Sequence, residues 1–267
     1  MVTVRCCTDR PLLQACPLEA HALQLDPYVG CEHRCAYCYA INRAETAWAA
    51  EILVHRDFRA RLAAEIARHP PQPIYLGWNT DPYQPAEAIH GQTRAAIEIL
   101  ADAGWTPCVL TKSDLVVRDI DLLARISGAS VGSSLAIDDE GFRALLEPGA
   151  PPNGRRVEAL RRVRGAGVAT YALVCPVIPF LTDIAAIAAS VAPWVDTVYV
   201  YRLAVASETD RSWLELRAVL ERERPDLIAL IASIVFAPDH PYWAELERSV
   251  ESLRPRTACR IENRLRG

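Results

Sequence analysis

Phe58, Leu62 and Ile66 fall on one helical stripe, and the run from Phe58 to about His69 is predicted helical, ended by Pro70, Pro71 and Pro73. Ile74–Gly77 is apolar but too short for a helix, and reads as a buried strand. The same alternation then repeats. A helix over Thr93–Ala103 is closed by Gly104 and followed by a strand at Cys108–Leu110. A helix over Asp119–Ser127, capped by Asp119 or its neighbour, stops at Gly128 before a strand at Ala129–Leu135. A basic amphipathic helix runs over Asn153–Ala166, with Asn153 as N-cap and Gly167 just past its end; a strand follows at Val168–Val174. Asp183 caps a helix reaching Val191, and Thr197–Tyr201 is the next strand. Strands separated by helices of about 10–15 residues imply βαβ units and a parallel sheet. About six such units precede Arg202, and Glu208–Arg266 reads as mostly helical. The expected fold is α/β: a partial (β/α)6 TIM-type barrel over residues 1–202, with a mostly helical C-terminal extension over residues 203–267 packed on it. A doubly wound open sheet is the alternative. In either arrangement functional groups belong at the C-terminal ends of the strands, which gathers the loops after Gly77, Leu110, Leu135 and Val174 around one site.

With 267 residues, 51% of them hydrophobic, the chain can bury one large core. A net charge of −4 argues against a protein that lives on nucleic acid. Arg254, Arg256, Arg260, Arg264 and Arg266 read as a solvated helix face and tail. No apolar run approaches the ~20 residues that span a bilayer. The stretch Met1–Cys7 lacks the apolar centre of a signal peptide. The expectation is a cytoplasmic protein with no membrane partner, whose nine cysteines sit in a reducing compartment where grouped thiols point to metal binding or catalysis.

Three of those cysteines lie in one segment, Gly30-Cys31-Glu32-His33-Arg34-Cys35-Ala36-Tyr37-Cys38-Tyr39, at spacing C-x3-C-x2-C. Closely spaced thiolates on one loop can wrap an iron–sulfur cluster. Three ligands on a four-iron cubane leave one iron open to a cofactor or substrate, as an open zinc position binds water. Zinc is the rival metal, with His33 as fourth ligand. However, His33 lies between two of the cysteines, and the usual second ligand pair downstream is absent.

The cysteine loop, with Tyr37 before its last cysteine, resembles that of the radical S-adenosylmethionine (SAM) superfamily. A closer likeness is to the spore photoproduct lyase branch. It is carried by Cys35-Ala36-Tyr37-Cys38-Tyr39, Asn79-Thr80-Asp81-Pro82-Tyr83-Gln84-Pro85, Leu110-Thr111-Lys112-Ser113, Gly132-Ser133-Ser134, Glu147-Pro148 to Pro151 with Arg155 or Arg156, and Val177-Ile178-Pro179 to Asp183, all in the family's order. The resemblance implies a [4Fe–4S] cluster on Cys31, Cys35 and Cys38 and SAM on the open iron. The superfamily cleaves SAM reductively to a 5′-deoxyadenosyl radical that removes a hydrogen atom from substrate; the protein orients the cofactor and excludes water. It also implies roles for single residues. Tyr37 packs near the SAM adenine. Thr80 and Asp81 meet the amino group, Lys112 the carboxylate and Ser133 or Ser134 the ribose. The backbone at Val177 and Ile178 meets the adenine edge. The bland readings are an Asp-Pro turn at Asp81, a surface lysine at Lys112, strand ends at Ser133 and Ser134, and an ion pair between Glu147 and Arg155. One departure concerns the branch's hydrogen-donor cysteine, whose place falls in Gly77-Trp78-Asn79-Thr80-Asp81, without cysteine. The tyrosines that accompany it match Tyr37 and Tyr39.

Of the remaining cysteines, Cys6, Cys7, Cys16, Cys108 and Cys259 read as buried or idle thiols, with an extra metal on Cys6 and Cys7 as a further option. Cys175, at the end of its strand, can face the barrel mouth as a hydrogen donor beside Tyr39. The functional expectation is a radical SAM enzyme acting on a small molecule, such as a nucleoside or sugar in biosynthesis, with an external electron donor such as flavodoxin or ferredoxin. Two alternatives stand beside it: a DNA-lesion lyase or nucleic-acid-modifying enzyme, with steeply salt-dependent binding, and a non-catalytic iron–sulfur or zinc protein.

Overall fold

The computed structural model describes residues 2–8, 10–18, 22–44 and 46–265. Its strands are β1 (Thr3–Cys7), β2 (Leu13–Ala15), β3 (Leu23–Leu25), β4 (Tyr28–Val29), β5 (Glu51–His55), β6 (Pro73–Leu76), β7 (Thr106–Thr111), β8 (Ser130–Leu135), β9 (Ala169–Val177), β10 (Thr197–Arg202) and β11 (Arg260–Arg264). Its α-helices are α1 (Phe58–Ile66), α2 (Glu87–His90), α3 (Gln92–Asp102), α4 (Ile120–Leu123), α5 (Glu140–Leu146), α6 (Asn153–Gly165), α7 (Ile184–Val191), α8 (Arg211–Glu223), α9 (Ile228–Val235) and α10 (Pro241–Leu253).

The main sheet runs β11-β10-β9-β8-β7-β6-β3-β2. Every neighbouring pair from β3 to β11 is parallel, and only β2 pairs antiparallel. The five strands read from hydrophobic runs are β6 to β10. The sixth parallel strand, β3, is the three residues Leu-Gln-Leu, too short to show a period. Beyond Arg202, where mostly helix is expected, the chain forms α8, α9 and α10 and one departure, the strand β11, paired in parallel with β10. Its sequence Arg-Ile-Glu-Asn-Arg buries only Ile261, so its strand form comes from its partner and not from its own pattern.

Side chains alternate across each strand. Ile74, Leu76, Val109 and Val131 point to one core with α1, α3 and α6. Ala172, Val174, Val198, Val200 and Ile261 point to a second, with α7 and Val250 of α10. The opposite face carries Tyr75, Cys108, Leu110, Gly132, Ser134, Tyr171, Leu173, Cys175, Tyr199 and Tyr201. A third apolar cluster packs Trp213, Leu216, Ile231 and Trp243 of α8 to α10 against Tyr37, Ile178 and Leu203. An α/β fold with a parallel sheet, consistent with a partial barrel, is thus established; among the described residues its edge strands β11 and β2 do not pair.

Caps follow the predictions unevenly. Asp183 caps α7 by accepting from the Ala186 N–H at 2.9 Å. Asn153 begins α6, and Pro152 holds the cap position. The Asp119 carboxylate leaves the helix end alone and accepts instead from Arg94, Arg118 and Tyr83. Arg254, Arg256, Arg260 and Arg264 are exposed, while Arg266 lies outside the described residues. Among the described residues no helix is long and apolar enough to cross a membrane.

A small sheet, β1-β5-β4, carries Cys6 and Cys7 on β1. The Cys7 thiol lies 3.4 Å from Nδ1 of the buried His55. Burial, with Arg61 beside it, pulls the His55 imidazole down to about 4. The unfolded chain therefore binds a proton that the folded chain refuses between about pH 6.5 and 4, and stability is lost as pH falls through that window. The unfolding free energy from urea denaturation is expected to fall by at most about 3 kcal/mol in the parent as pH drops through this window, and to change less in His55→Asn.

Candidate functional site

The cysteine loop lies between β4 and β5, beside the segment after β6 and the turn after α5. Several bonds hold it there. The Glu32 N–H donates to Gln84 Oε1 at 2.9 Å, and Gln84 Nε2 donates to the Gly30 carbonyl at 3.0 Å. The Ala86 N–H donates to Glu32 Oε2 at 2.6 Å. The Ala36 N–H donates to the Leu146 carbonyl at 2.8 Å and the Gly149 N–H to the His33 carbonyl at 3.0 Å. Gly149 is needed for this approach, because a Cβ there would sit 2.1 Å from the Glu32 carbonyl oxygen.

Cys31, Cys35 and Cys38 are free thiols on this loop. Burial pushes all three above the usual thiol range. The Lys112 ammonium pulls Cys35 and Cys38 back, and the Asp81 carboxylate pushes Cys31 further up. His33 is committed elsewhere: Nδ1 lies 2.9 Å from the Gly149 carbonyl and Nε2 3.2 Å from Asp81 Oδ2. Among the described residues no three His, Cys, Asp or Glu side chains converge on one point as a single metal ion requires. Three thiols on one loop, with His33 bonded elsewhere, suit an iron–sulfur cluster, which Cys31, Cys35 and Cys38 would hold.

Lys112 follows the end of β7. Its Nζ donates to Ser134 Oγ at 2.7 Å, stands 3.8 Å from Glu147 Oε1 and lies 5.8 Å over the Tyr37 ring. Ser134 Oγ in turn donates to the Cys175 carbonyl at 3.1 Å. Ser133 shares the face of Val131 and Leu135, on the helix side of β8, so of the two serines only Ser134 reaches the site. Glu147 is fully buried. Burial alone would raise its carboxyl, but Lys112 and Arg156 overcome that and hold it low. The Tyr37 hydroxyl donates to Glu147, and the equally buried Arg156 pairs with it. The expected partner Arg155 is exposed and binds Asp114 at 2.6 Å instead.

Thr80 and Asp81 occupy the predicted loop, yet their polar groups are committed to the protein. Thr80 Oγ1 donates to the Tyr28 carbonyl at 3.2 Å. Asp81 accepts from Thr111 Oγ1 at 2.6 Å, the Lys112 N–H at 2.6 Å and the Tyr83 N–H at 2.9 Å. Against the cost of burial, His33 and these donors hold its carboxyl down at about 2. The backbone at Val177 and Ile178 is similarly engaged: the Ile178 N–H donates to Thr182 Oγ1 at 2.9 Å, and the Val177 carbonyl accepts from Leu203. Sequence reasoning missed Asp26, whose buried carboxylate accepts from Asn79 Nδ2 at 2.7 Å and from the Asn79 and Thr80 N–H groups. The signal was its place, opening the cysteine segment.

Cys175 lies on the inward face of β9. Burial pushes its thiol up to about 11, against the pull of Lys112 and with the push of Cys38. Tyr39 donates its hydroxyl to the Trp78 carbonyl. Cys175, Tyr39, Lys112 and Cys38 thus share one neighbourhood at the C-terminal ends of the strands. A cavity of about 690 Å³ opens further out, between Phe142, Phe180 and Tyr242, with Asp138, Asp139 and Asp183 also lining it.

The family model for the radical SAM superfamily matches residues 25–188. The chain belongs to the radical SAM superfamily. Its proteins use a [4Fe–4S] cluster and SAM, and this radical SAM enzyme takes both as cofactors. An uncharacterized protein of Methanocaldococcus jannaschii is 27% identical over 213 residues, 78% of this chain and 79% of that one. An uncharacterized protein of Mycobacterium tuberculosis is 34% identical over 168 residues, 58% of this chain; the match spans 49% of that relative's length. Among solved structures, a spore photoproduct lyase mutant with bound AdoMet and dinucleoside spore photoproduct superposes with a TM-score of 0.70 at 16% identity, over 97% of this chain and 81% of that one. Streptococcus suis SuiB bound to S-adenosylmethionine gives 0.52 at 10% identity, over 91% and 51%. At these identities the likeness concerns the fold.

Proposed function

We propose that this radical SAM enzyme binds its cluster through Cys31, Cys35 and Cys38 and acts on a small molecule, such as a nucleoside or sugar in a biosynthetic reaction. When bound, the cluster and SAM together supply a 5′-deoxyadenosyl radical able to remove a hydrogen atom from a C–H bond. The chain's own residues do the rest. The Lys112 ammonium offers a point charge for the SAM carboxylate, and Ser134 and Glu147 hold that ammonium in place. Tyr37, fixed by Glu147, presents its ring beside it. The Cys175 thiol, on the inner face of β9 with Tyr39 next to it, gives its hydrogen atom to the substrate radical: the C–H bond forms, the S–H bond breaks, and one electron from the external donor with a proton restores the thiol. The apolar cluster of α8 to α10 over Tyr37 and Ile178 keeps water from the mouth. An external flavodoxin or ferredoxin delivers the electron in the cytoplasm.

The observation that carries this reading is the placement of three thiols, Lys112 and Cys175 in one buried neighbourhood at the strand ends. A small substrate is supported by the apolar cover that α8 to α10 lay over the mouth. The test is anaerobic reconstitution with iron and sulfide, followed by SAM and dithionite. Formation of 5′-deoxyadenosine is expected; a protein carrying a full cluster that forms none with any candidate nucleoside or sugar would overturn it.

A further inference from the structure

The interior of a (β/α) barrel is ordinarily filled with Val, Ile and Leu. Here the inward face carries phenols, an indole and thiols in continuous contact. The Tyr39 and Trp78 rings lie 5.7 Å apart, and Trp78 meets Tyr75 edge-on at 6.0 Å. The Tyr75 and Tyr171 hydroxyls are hydrogen-bonded to each other. The Tyr171 hydroxyl donates to the Val109 carbonyl at 2.8 Å and receives the Cys108 S–H at 3.4 Å. Space for this arrangement is made by Gly132, where a Cβ would fall 2.1 Å from the Tyr171 ring. Tyr75 is the next-to-last residue of β6, whereas Cys108 and Tyr171 are the third residues of β7 and β9, short of the strand ends where Lys112 and Cys175 lie. Cys108 is partly exposed, and Cys16 is close enough to influence its thiol. Tyr39 stands beside Cys175 at the site, but Trp78, Tyr75, Tyr171 and Cys108 have no part in the reaction proposed above.

Phenol, indole and thiol are the side chains that most readily give up a hydrogen atom. We propose that Tyr39, Trp78, Tyr75, Tyr171 and Cys108 form a relay that drains an unused radical from the mouth of the barrel to its floor. The idea rests on the radical chemistry proposed above. A carbon radical left without substrate takes a hydrogen atom from the Tyr39 hydroxyl: a C–H bond forms, the O–H bond breaks and a tyrosyl radical remains. Trp78 then supplies one electron and its indole proton to Tyr39, and Tyr75 does the same for Trp78. Once Tyr75 has lost its hydrogen, the Tyr171 hydroxyl turns from the Val109 carbonyl to the Tyr75 oxygen and passes a hydrogen atom across, and Cys108 passes one to Tyr171. The Cys108 thiyl is restored by a hydrogen atom from a small soluble thiol. Every residue ends as it began, and the net change is one hydrogen atom moved from the external thiol to the carbon radical. Two such thiol radicals pair as a disulfide.

The test uses the reconstituted holoenzyme with SAM and reductant, without substrate, in the presence of a nitrone spin trap. Adducts are mapped by mass spectrometry while 5′-deoxyadenosine is measured in the same samples. An adduct is expected at Cys108 in the parent. Tyr171→Phe keeps the ring and removes the hydroxyl; its 5′-deoxyadenosine yield should hold while the Cys108 adduct is lost and adducts collect on Tyr75 or Tyr39. Cys108→Ala, which needs no repacking around the ring, should lengthen the life of a tyrosyl signal in electron paramagnetic resonance. An equal Cys108 adduct in parent and Tyr171→Phe, or 5′-deoxyadenosine without any Cys108 adduct in the parent, would overturn the relay alone. No 5′-deoxyadenosine from the parent would overturn the proposed function and the relay with it.

Discussion

Replacing Cys31, Cys35 and Cys38 together by alanine is expected to leave a folded chain that takes up no iron–sulfur cluster and forms no 5′-deoxyadenosine. The three side chains sit on one loop whose position depends on backbone and Gln84 bonds, not on the thiols, so the variant keeps the loop and loses only the ligands. Iron and sulfide content after reconstitution, with the visible charge-transfer bands, checks it. His33→Gln is the companion variant. The His33 ring nitrogens are taken up by Gly149 and Asp81, so a side chain that keeps those bonds should retain the cluster. Loss of iron from His33→Gln with zinc bound by the parent would mean that the loop is a zinc site after all.

Glu147→Ala is expected to cost about 3–5 kcal/mol, the usual result of stranding one partner of a buried ion pair. The side chains of Glu147 and Arg156 are both at 0% exposure, and Arg156 has nowhere to rehydrate. In a chain of this size the loss should lower Tm by about 10 °C. The double variant Glu147→Met, Arg156→Met should recover much of it, because removing both charges also removes the cost of burying them. Function should not recover with stability. Lys112 keeps Ser134 but loses its counter-charge, and Tyr37 loses its acceptor, so KM for SAM should remain raised in the stable double variant. Recovery of both together would mean that the pair serves stability alone.

How far these groups could be read from the chain depends on how local their geometry is. The thiols share one loop, so spacing was enough. Lys112 follows a buried strand directly, and its position at the strand end carried the expectation. Choices between neighbours were harder, although the deciding signal was present. Arg156 falls in phase with Ala159, Leu160 and Val163 on the buried face of α6, whereas Arg155 falls outside it. Ser134 differs from Ser133 only by parity with Val131 and Leu135 on β8. Other features had no local signal. That Asp81 would be saturated by Thr111, Lys112 and His33 depends on three segments meeting. The contact of Tyr75 with Tyr171 depends on the register and curvature of strands far apart in sequence. β3 and β11 are strands because the sheet offers them partners, and neither could be found from its own residues.

That last point reaches into how the protein is made. Thr197 of β10 is paired with Arg260 of β11, and α8, α9 and α10 lie between them. During synthesis β10 leaves the ribosome long before the strand that covers it, with a row of unsatisfied backbone groups at its side. Long-range parallel pairing is slow to form, and an open strand edge of this kind recruits other chains. The nascent enzyme therefore passes through a stage in which its sheet is ready for a neighbour and its own neighbour has not yet been translated.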